Sequence, residues 1–261
     1  MSAAPHLIAL LQTTGLAAVP WDFALLLGVL AIFVPWRGVQ RVLKLLRQPV
    51  LSSADRMMIY VSTIGVQWAS AGIVWWRGSA RGHSAGDWGL AVPDAAAAFS
   101  GVVVLLVLTC GLQILSLRRL GKLPPERHTT LGQLLGKLMP QGRTESLVFI
   151  ALCVTAGICE EFIYRGFALT ILERAAGGYV VAGVIASSAL FSLAHLYQGR
   201  RGAASTFVLG GVFAVSRVLT GSLLPAIAAH TAVDLLAGLL GAQLLGARAR
   251  IHEQQIQSDS K

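Results

Sequence analysis

Six ionisable side chains stand inside apolar stretches in the C-terminal half of this 261-residue chain, and their types suit acid–base chemistry. An ionisable side chain at the centre of a bilayer costs about 2.5–3.5 kcal/mol on insertion scales, so such residues usually mark a functional site or path. Carboxylates and imidazoles are also the groups that most often move protons in catalysis. The six residues are Glu160, Glu161, Arg165, His195, His230 and Asp234.

The first cluster is the sequence Glu-Glu-Phe-Ile-Tyr-Arg at 160–165. In a helix, Glu161 and Arg165 share a face at i, i+4 spacing, and we predict that they form an ion pair. Glu160 points about 100° away, since a helix has 3.6 residues per turn. Its carboxylate is left without a cation in an apolar setting, which suits a general base. The alternative is that both carboxylates share Arg165 for packing alone.

The two histidines follow in later apolar stretches. His195 ends the sequence Phe-Ser-Leu-Ala-His at 191–195, where a single histidine is also compatible with an ordinary core residue. His230 and Asp234 share a helix face at i, i+4, so the aspartate can orient the ring or bind a common ligand. The alternative for this pair is a structural hydrogen bond between helices.

Together these motifs predict a catalytic set of Glu160, His195 and His230, with the other three residues in support. Such groups suit hydrolysis, in which Glu160 takes a proton from water and the imidazoles stabilise the oxyanion. The catalytic set and Asp234 are also candidate ligands for a divalent metal such as zinc. The sequence leaves these two roles open, and it lacks the His-Glu-x-x-His signature of helical zinc proteases.

The composition predicts a membrane protein. Hydrophobic residues make up 55% of the chain and charged residues only 13%, whereas a soluble domain carries roughly 25% charged residues. The net charge of +9 does not indicate a nucleic-acid partner, because Lys and Arg lie in short loops where they can meet membrane lipids. The three cysteines lie in apolar stretches and are interpreted as small buried side chains.

Hydropathy predicts an all-α polytopic transmembrane helical bundle of about seven spans, because a bilayer core of roughly 30 Å needs about 20 helical residues. An eighth span built from residues 6–36 is an alternative. Residues 130–139 are predicted to form a short interfacial helix, because apolar and small polar residues alternate there at helical spacing. The predicted spans are 21–36, 57–76, 95–117, 146–172, 179–197, 203–219 and 223–245.

Flanking residues predict the orientation of these spans. Most of the 21 Lys and Arg residues fall in alternate loops and in the tail, which places those loops and the C-terminus in the cytoplasm and the N-terminus outside the plasma membrane. Five tryptophans near span ends predict an aromatic belt: Trp21, Trp36, Trp75, Trp76 and Trp88. We expect N-terminal spans and the interfacial helix at 1–145, a catalytic core at 146–245 and a short tail at 246–261.

The motifs resemble those of a known family. Glu-Glu-x-x-x-Arg at 160–165, Phe-x-x-x-His at 191–195 and His-x-x-x-Asp at 230–234 occur in the order seen in the CPBP, or Abi, family. That family contains CAAX proteases and bacteriocin-processing enzymes. The flanking sequence Thr-Gly-Ser-Leu-Leu-Pro-Ala-Ile at 220–227 is also similar. The likeness is strong over 145–245 and loose in the N-terminal third.

The resemblance implies an intramembrane endopeptidase in which Glu160 is the base for the attacking water. It implies that the histidines of the second and third motifs line the same site and that Glu161 and Arg165 support it. The expected substrate is a peptide or membrane protein of the prenylated or bacteriocin type. One departure concerns Asp234, because the eukaryotic type II CAAX prenyl endopeptidases carry Asn at the matching position.

Two other classes of function stay open. A non-catalytic immunity or scaffold membrane protein would use the same fold to bind a partner. A proton-coupled transporter would use buried Glu and His as a relay. Transporters usually show repeat symmetry in both halves, whereas the ionisable residues here occupy the second half.

Overall fold

The computed structural model describes residues 19–120, 122 and 130–240, and all regular structure within these residues is helical. The predicted all-α bundle is therefore confirmed. The possible eighth span, which begins at residue 6, lies partly outside the described residues, and the tail at 246–261 lies wholly outside them. The helices of the described part are α1 (Trp21–Arg47), α2 (Ser53–Ala80), α3 (Ala95–Leu120), α4 (Thr130–Leu138), α5 (Arg143–Ala175), α6 (Val180–Ala194), α7 (Gly199–Thr220) and α8 (Leu224–Leu240).

Seven of these helices are apolar enough to match the predicted spans. Five, namely α1, α2, α3, α5 and the segment Leu196–Thr220 that contains α7, are also long enough to cross a membrane. The helices α6 and α8 are apolar but shorter. The short helix α4 lies where the interfacial helix was predicted.

Two span boundaries differ from the prediction. Helix α1 runs on to Arg47 instead of ending near Trp36, because Val34–Arg47 is amphipathic and continues the helix beyond its apolar part. Helix α6 ends at Ala194, and His195 is its C-cap rather than a residue within the span. The position of the His195 ring is therefore set by the backbone turn at the end of α6.

Helix α5 lies at the centre of the bundle. Helix α2 packs along its first part, α6 packs against its last part, and α7 packs on α6. The main hydrophobic core forms around α5, with Phe162, Ile163 and Phe167 buried against Phe23 and Leu223. The chain segment that carries the glutamates is thus enclosed by helices from both halves of the protein.

Ion pairs hold both ends of α2, and one of their members, Asp22, lies within the first predicted span. Arg56 Nε lies 2.8 Å from Glu145 Oε2 at the start of α5, and both side chains are almost fully buried. At the other end, Asp22 accepts hydrogen bonds from Arg77 at 2.7 Å and from Arg81 at 2.8 Å. Each charge is paired, which is the condition under which buried charges are tolerated.

Trp88 was predicted to belong to an aromatic belt, and this prediction is wrong because Trp88 is buried. Trp21 and Trp76 are 72% and 64% exposed on the helix surface, as a belt requires, but Trp88 is 0% exposed. Its ring packs so closely against Gly78 of α2 that a Cβ at this position would clash with the ring. The carbonyl oxygen of Trp88 lies against Gly166 of α5. The loop between α2 and α3 therefore inserts into the bundle beside the site helix.

Candidate active site

Helix α5 changes from α-helix to π-helix directly after the two glutamates. Residues Arg143–Glu161 are α-helical, Phe162–Ala168 form a π-helix in which all seven residues are buried, and Leu169–Ala175 are α-helical again. A π-helix bonds residue i to i+5, and short π segments inside α-helices often occur at functional sites. Arg165 lies in this π-helical segment and contacts Glu161, whereas the Glu160 side chain faces His195.

The predicted ion pair between Glu161 and Arg165 is confirmed. Arg165 Nη1 donates to Glu161 Oε1 over 2.8 Å, and neither side chain is exposed. The guanidinium also lies over the ring of Phe191 at 4.0 Å and near that of Phe213 at 5.5 Å. Cation–π contacts of this kind strengthen when they are desolvated. Arg165 is therefore a buried anchor between α5, α6 and α7.

His230 bonds to Glu161, a contact that the sequence did not predict. Its Nδ1 lies 2.7 Å from Glu161 Oε1, and its Nε2 lies 3.6 Å from Asp234 Oδ2. Both ring nitrogens thus face carboxylates, which accept hydrogen bonds but cannot donate them. A doubly protonated ring presents an N–H to each carboxylate. The predicted pairing with Asp234 is present, but at 3.6 Å it is longer than a hydrogen bond.

Glu160 faces His195 and not the Glu161–Arg165 pair. Glu160 Oε2 lies 3.9 Å from His195 Nε2. His195 Nδ1 lies 2.8 Å from the carbonyl oxygen of Phe191. Since a carbonyl only accepts, Nδ1 carries a proton, and in the neutral form of the ring the Nε2 lone pair faces Glu160. Two acceptors therefore face each other across a gap that suits a donor with two protons.

Gln67 of α2 completes this group, and the motifs did not point to it. Its Nε2 donates to Glu160 Oε1 over 2.6 Å. Gln67 stands 93 positions before Glu160 and carries no charge, so neither helical spacing nor charge counting could link the two. The available signal was a single amide inside the apolar span predicted at 57–76.

Gly157 of α5 sets the distance between the glutamates and His230. A Cβ at Gly157 would lie 2.1 Å from Thr231 Oγ1 and 3.1 Å from the carbonyl oxygen of Ile227, both in α8. The absence of a side chain thus lets α8 approach α5 one turn before Glu161. The close contact of His230 with Glu161 depends on this approach.

Gly157→Val is therefore expected to separate α8 from α5 and to remove activity. Overpacking of this kind costs about 1–3 kcal/mol of stability. The matched control is Gly111→Ala in α3, where a Cβ meets no atom within 4 Å; it should be neutral or stabilising, by up to about 1 kcal/mol. Thermal unfolding in detergent measures both variants. A Gly157→Val protein with wild-type stability and activity would show that the close approach is not required.

A cavity of about 350 Å³ opens beside the histidines. Its walls include His195, His230 and Asp234, while Glu160 adjoins it through its 3.9 Å separation from His195. The side formed by α4 and the start of α5 is apolar, and the side formed by α7 carries hydroxyls. The apolar residues are Leu134, Leu135, Leu138, Met139, Phe149 and Leu152, and the hydroxyl residues are Ser205 and Thr206.

The candidate metal ligands do not form a metal-binding group as they are placed. Within residues 19–120, 122 and 130–240, no three His, Cys, Asp or Glu side chains are arranged to hold a metal ion. His195 faces Glu160 and His230 faces Glu161 and Asp234, so the two imidazoles point to different carboxylates. Binding of zinc or another divalent ion stays a prediction.

The fold and this site define a helical membrane protein with a buried carboxylate–imidazole centre beside a cavity. Residues 142–236 match the family described as type II CAAX prenyl endopeptidase Rce1-like. This match supports the resemblance to the CPBP and CAAX protease family. No curated protein and no solved structure matches the chain significantly. All six motif residues lie within the matched segment, whereas Gln67 lies outside it.

Proposed function

We propose that this protein hydrolyses a peptide bond in a membrane-associated substrate, with a water molecule activated between Glu160 and His195. The observation that carries the proposal is the pair of acceptors, Glu160 Oε2 and His195 Nε2, that face each other at 3.9 Å. A water molecule satisfies both by donating one hydrogen to each. This arrangement holds the water oxygen with its lone pairs free to attack a carbonyl carbon.

The proton balance uses these residues alone. As the water oxygen bonds to the peptide carbonyl carbon, Glu160 takes the proton from the water. The carbonyl oxygen becomes an oxyanion, which His230 stabilises by donating from Nε2, because Asp234 at 3.6 Å leaves that proton available. Glu160 then gives its proton to the amide nitrogen as the C–N bond breaks. The products are a carboxylic acid and an amine, and transfer of the acid's proton to the amine gives a carboxylate and an ammonium group.

Glu161 and Arg165 act as support in this proposal. Glu161 holds His230 through Nδ1, and Arg165 balances the charge of Glu161 from within the core. Asp234 lies on the second side of the His230 ring and favours its doubly protonated form. The result is a charged oxyanion donor, His230, with Asp234 beside it where the eukaryotic enzymes carry Asn.

The cavity supports a peptide substrate with apolar side chains. Its apolar wall suits such side chains or an attached lipid, and its hydroxyl wall suits peptide hydrogen bonds. The helix α4 follows a basic stretch, so by the positive-inside rule we place the cavity mouth on the cytoplasmic side. We further propose that the protein lies in the plasma membrane with its N-terminus outside and its C-terminus in the cytoplasm.

A panel of membrane-tethered peptides, prenylated and unprenylated, tests the function with purified protein in liposomes. We expect wild-type protein to release a defined product, identified by mass spectrometry, and Glu160→Gln protein to release it at least about 10²-fold more slowly. If wild-type protein leaves every peptide intact but still binds one of them, the non-catalytic immunity or scaffold function is supported instead. Proton uptake into the same liposomes would support the transporter.

A further inference from the structure

Gln67 differs from the other polar residues of α2. The hydroxyls of Thr63 and Ser70 donate to carbonyl oxygens of α2 itself, at 2.7 Å and 2.8 Å. They are satisfied inside their own helix, as hydroxyls commonly are. Gln67 instead donates across the helix interface to Glu160 Oε1 over 2.6 Å. A polar amide in an apolar span is costly unless it is paired, so this bond explains the amide at that position.

The hydrogen bond fixes one oxygen of the Glu160 carboxylate. In the glutamine side chain only the NH₂ group can donate to a carboxylate, so Gln67 Oε1 points away from Glu160 Oε1. Neither Glu160 Oε2 nor Gln67 Oε1 accepts a hydrogen bond from the residues that the structure describes, although both atoms are buried. With Oε1 held by α2, Oε2 is the oxygen that remains for the gap beside His195.

The Glu160 carboxylate has an alternative partner on its own helix. Within the described chain, Arg165 Nε and Nη2 are buried without a hydrogen-bond acceptor, and Glu160 interacts electrostatically with Arg165. A carboxylate on a side chain with three rotatable bonds is drawn towards such a cation. The Gln67 bond opposes that rotation, because turning Glu160 towards Arg165 breaks it.

We infer that Gln67 is a positioning residue, which holds Glu160 with Oε2 facing His195 and so keeps the base aligned with the attacking water. The inference rests on the proposed function, and it extends the working site beyond residues 142–236 to the N-terminal half of the chain. Helix α2 is a rigid support for this task, because Arg56 and Arg77 pair with Glu145 and Asp22 near its two ends.

Gln67→Met tests the inference, since methionine has a similar length but cannot donate. We expect kcat to fall about 10- to 100-fold, as for other residues that orient a working side chain, with KM and the unfolding midpoint unchanged. In a Glu160→Gln background, Gln67→Met should cause no further loss of the residual rate, because the carboxylate that it positions is gone. Thr63→Val is the matched control and should keep the wild-type kcat.

The outcomes separate this inference from the proposed function. If wild-type protein cleaves, Glu160→Gln cleaves at least about 10²-fold more slowly and Gln67→Met has the wild-type kcat, the inference is wrong and the proposed function stands. A loss in Gln67→Met that is equally large in the Glu160→Gln background, or that accompanies a lower unfolding midpoint, also overturns the inference. If wild-type protein cleaves no peptide, the proposed function fails and the inference fails with it.

Discussion

Glu160→Gln is expected to lower kcat by about 10²- to 10⁴-fold, the range that general acid–base catalysis contributes. Glutamine has the same size and can still accept the hydrogen bond from Gln67, so the side chain keeps its position. It cannot take the proton from water. KM and the thermal unfolding midpoint should therefore stay close to those of wild type, and steady-state cleavage of a membrane-tethered peptide measures the change.

The control for this variant is Glu173→Gln, which removes a carboxylate from the same helix at a position outside the site. It should keep the wild-type kcat. Glu160→Gln protein that cleaves at the wild-type rate would contradict the assignment of Glu160 as the base.

Arg165→Met is expected to destabilise the fold by about 3–5 kcal/mol, the usual cost of removing one partner from a buried ion pair. The substitution leaves Glu161 charged in a fully buried position and also removes the cation over the ring of Phe191. The unfolding midpoint in detergent should fall strongly. Activity should also fall, because the Glu161 carboxylate, which holds His230, would lose the positive charge that compensates it.

A double variant separates charge balance from packing. Adding Glu161→Gln to Arg165→Met removes the uncompensated charge, so we expect part of the lost stability to return. The control is Arg174→Met, because Arg174 lies on the same helix but is 56% exposed and 3.8 Å from Asp87. An exposed pair of that kind contributes about 0–1 kcal/mol. Equal unfolding midpoints for Arg165→Met and Arg174→Met would show that the buried pair does not stabilise the fold.

The sequence predicted well those features that depend on local spacing. The helical bundle follows from long apolar stretches, and the Glu161–Arg165 pair follows from i, i+4 spacing on one helix. The order of the three motifs also carried the resemblance that the family match over 142–236 supports. The catalytic and metal-binding roles of these residues stay predictions, because neither the fold nor the family match tests them.

Contacts between residues far apart in the chain could not be predicted from the sequence. His230 meets Glu161 across 69 positions, and the choice of Glu161 over Asp234 as its hydrogen-bonding partner depends on how closely α8 approaches α5 at Gly157. Trp88 was assigned to the membrane surface because tryptophan commonly lies there, yet glycines on α2 and α5 open a buried place for it. A tertiary contact decided each case, and the spacing within one helix does not encode such contacts.

Cleavage in oxygen-18-enriched water tests the activation of water by Glu160 most directly. Wild-type protein freed of metal ions by a chelator is incubated with a membrane-tethered peptide, and the products are weighed by mass spectrometry. We predict that one heavy oxygen enters the new carboxylate of the product in wild type and that Glu160→Gln forms this labelled product at least about 10²-fold more slowly. Labelled product formed by Glu160→Gln at the wild-type rate, or wild-type cleavage that stops on chelation and returns with zinc, would contradict this mechanism.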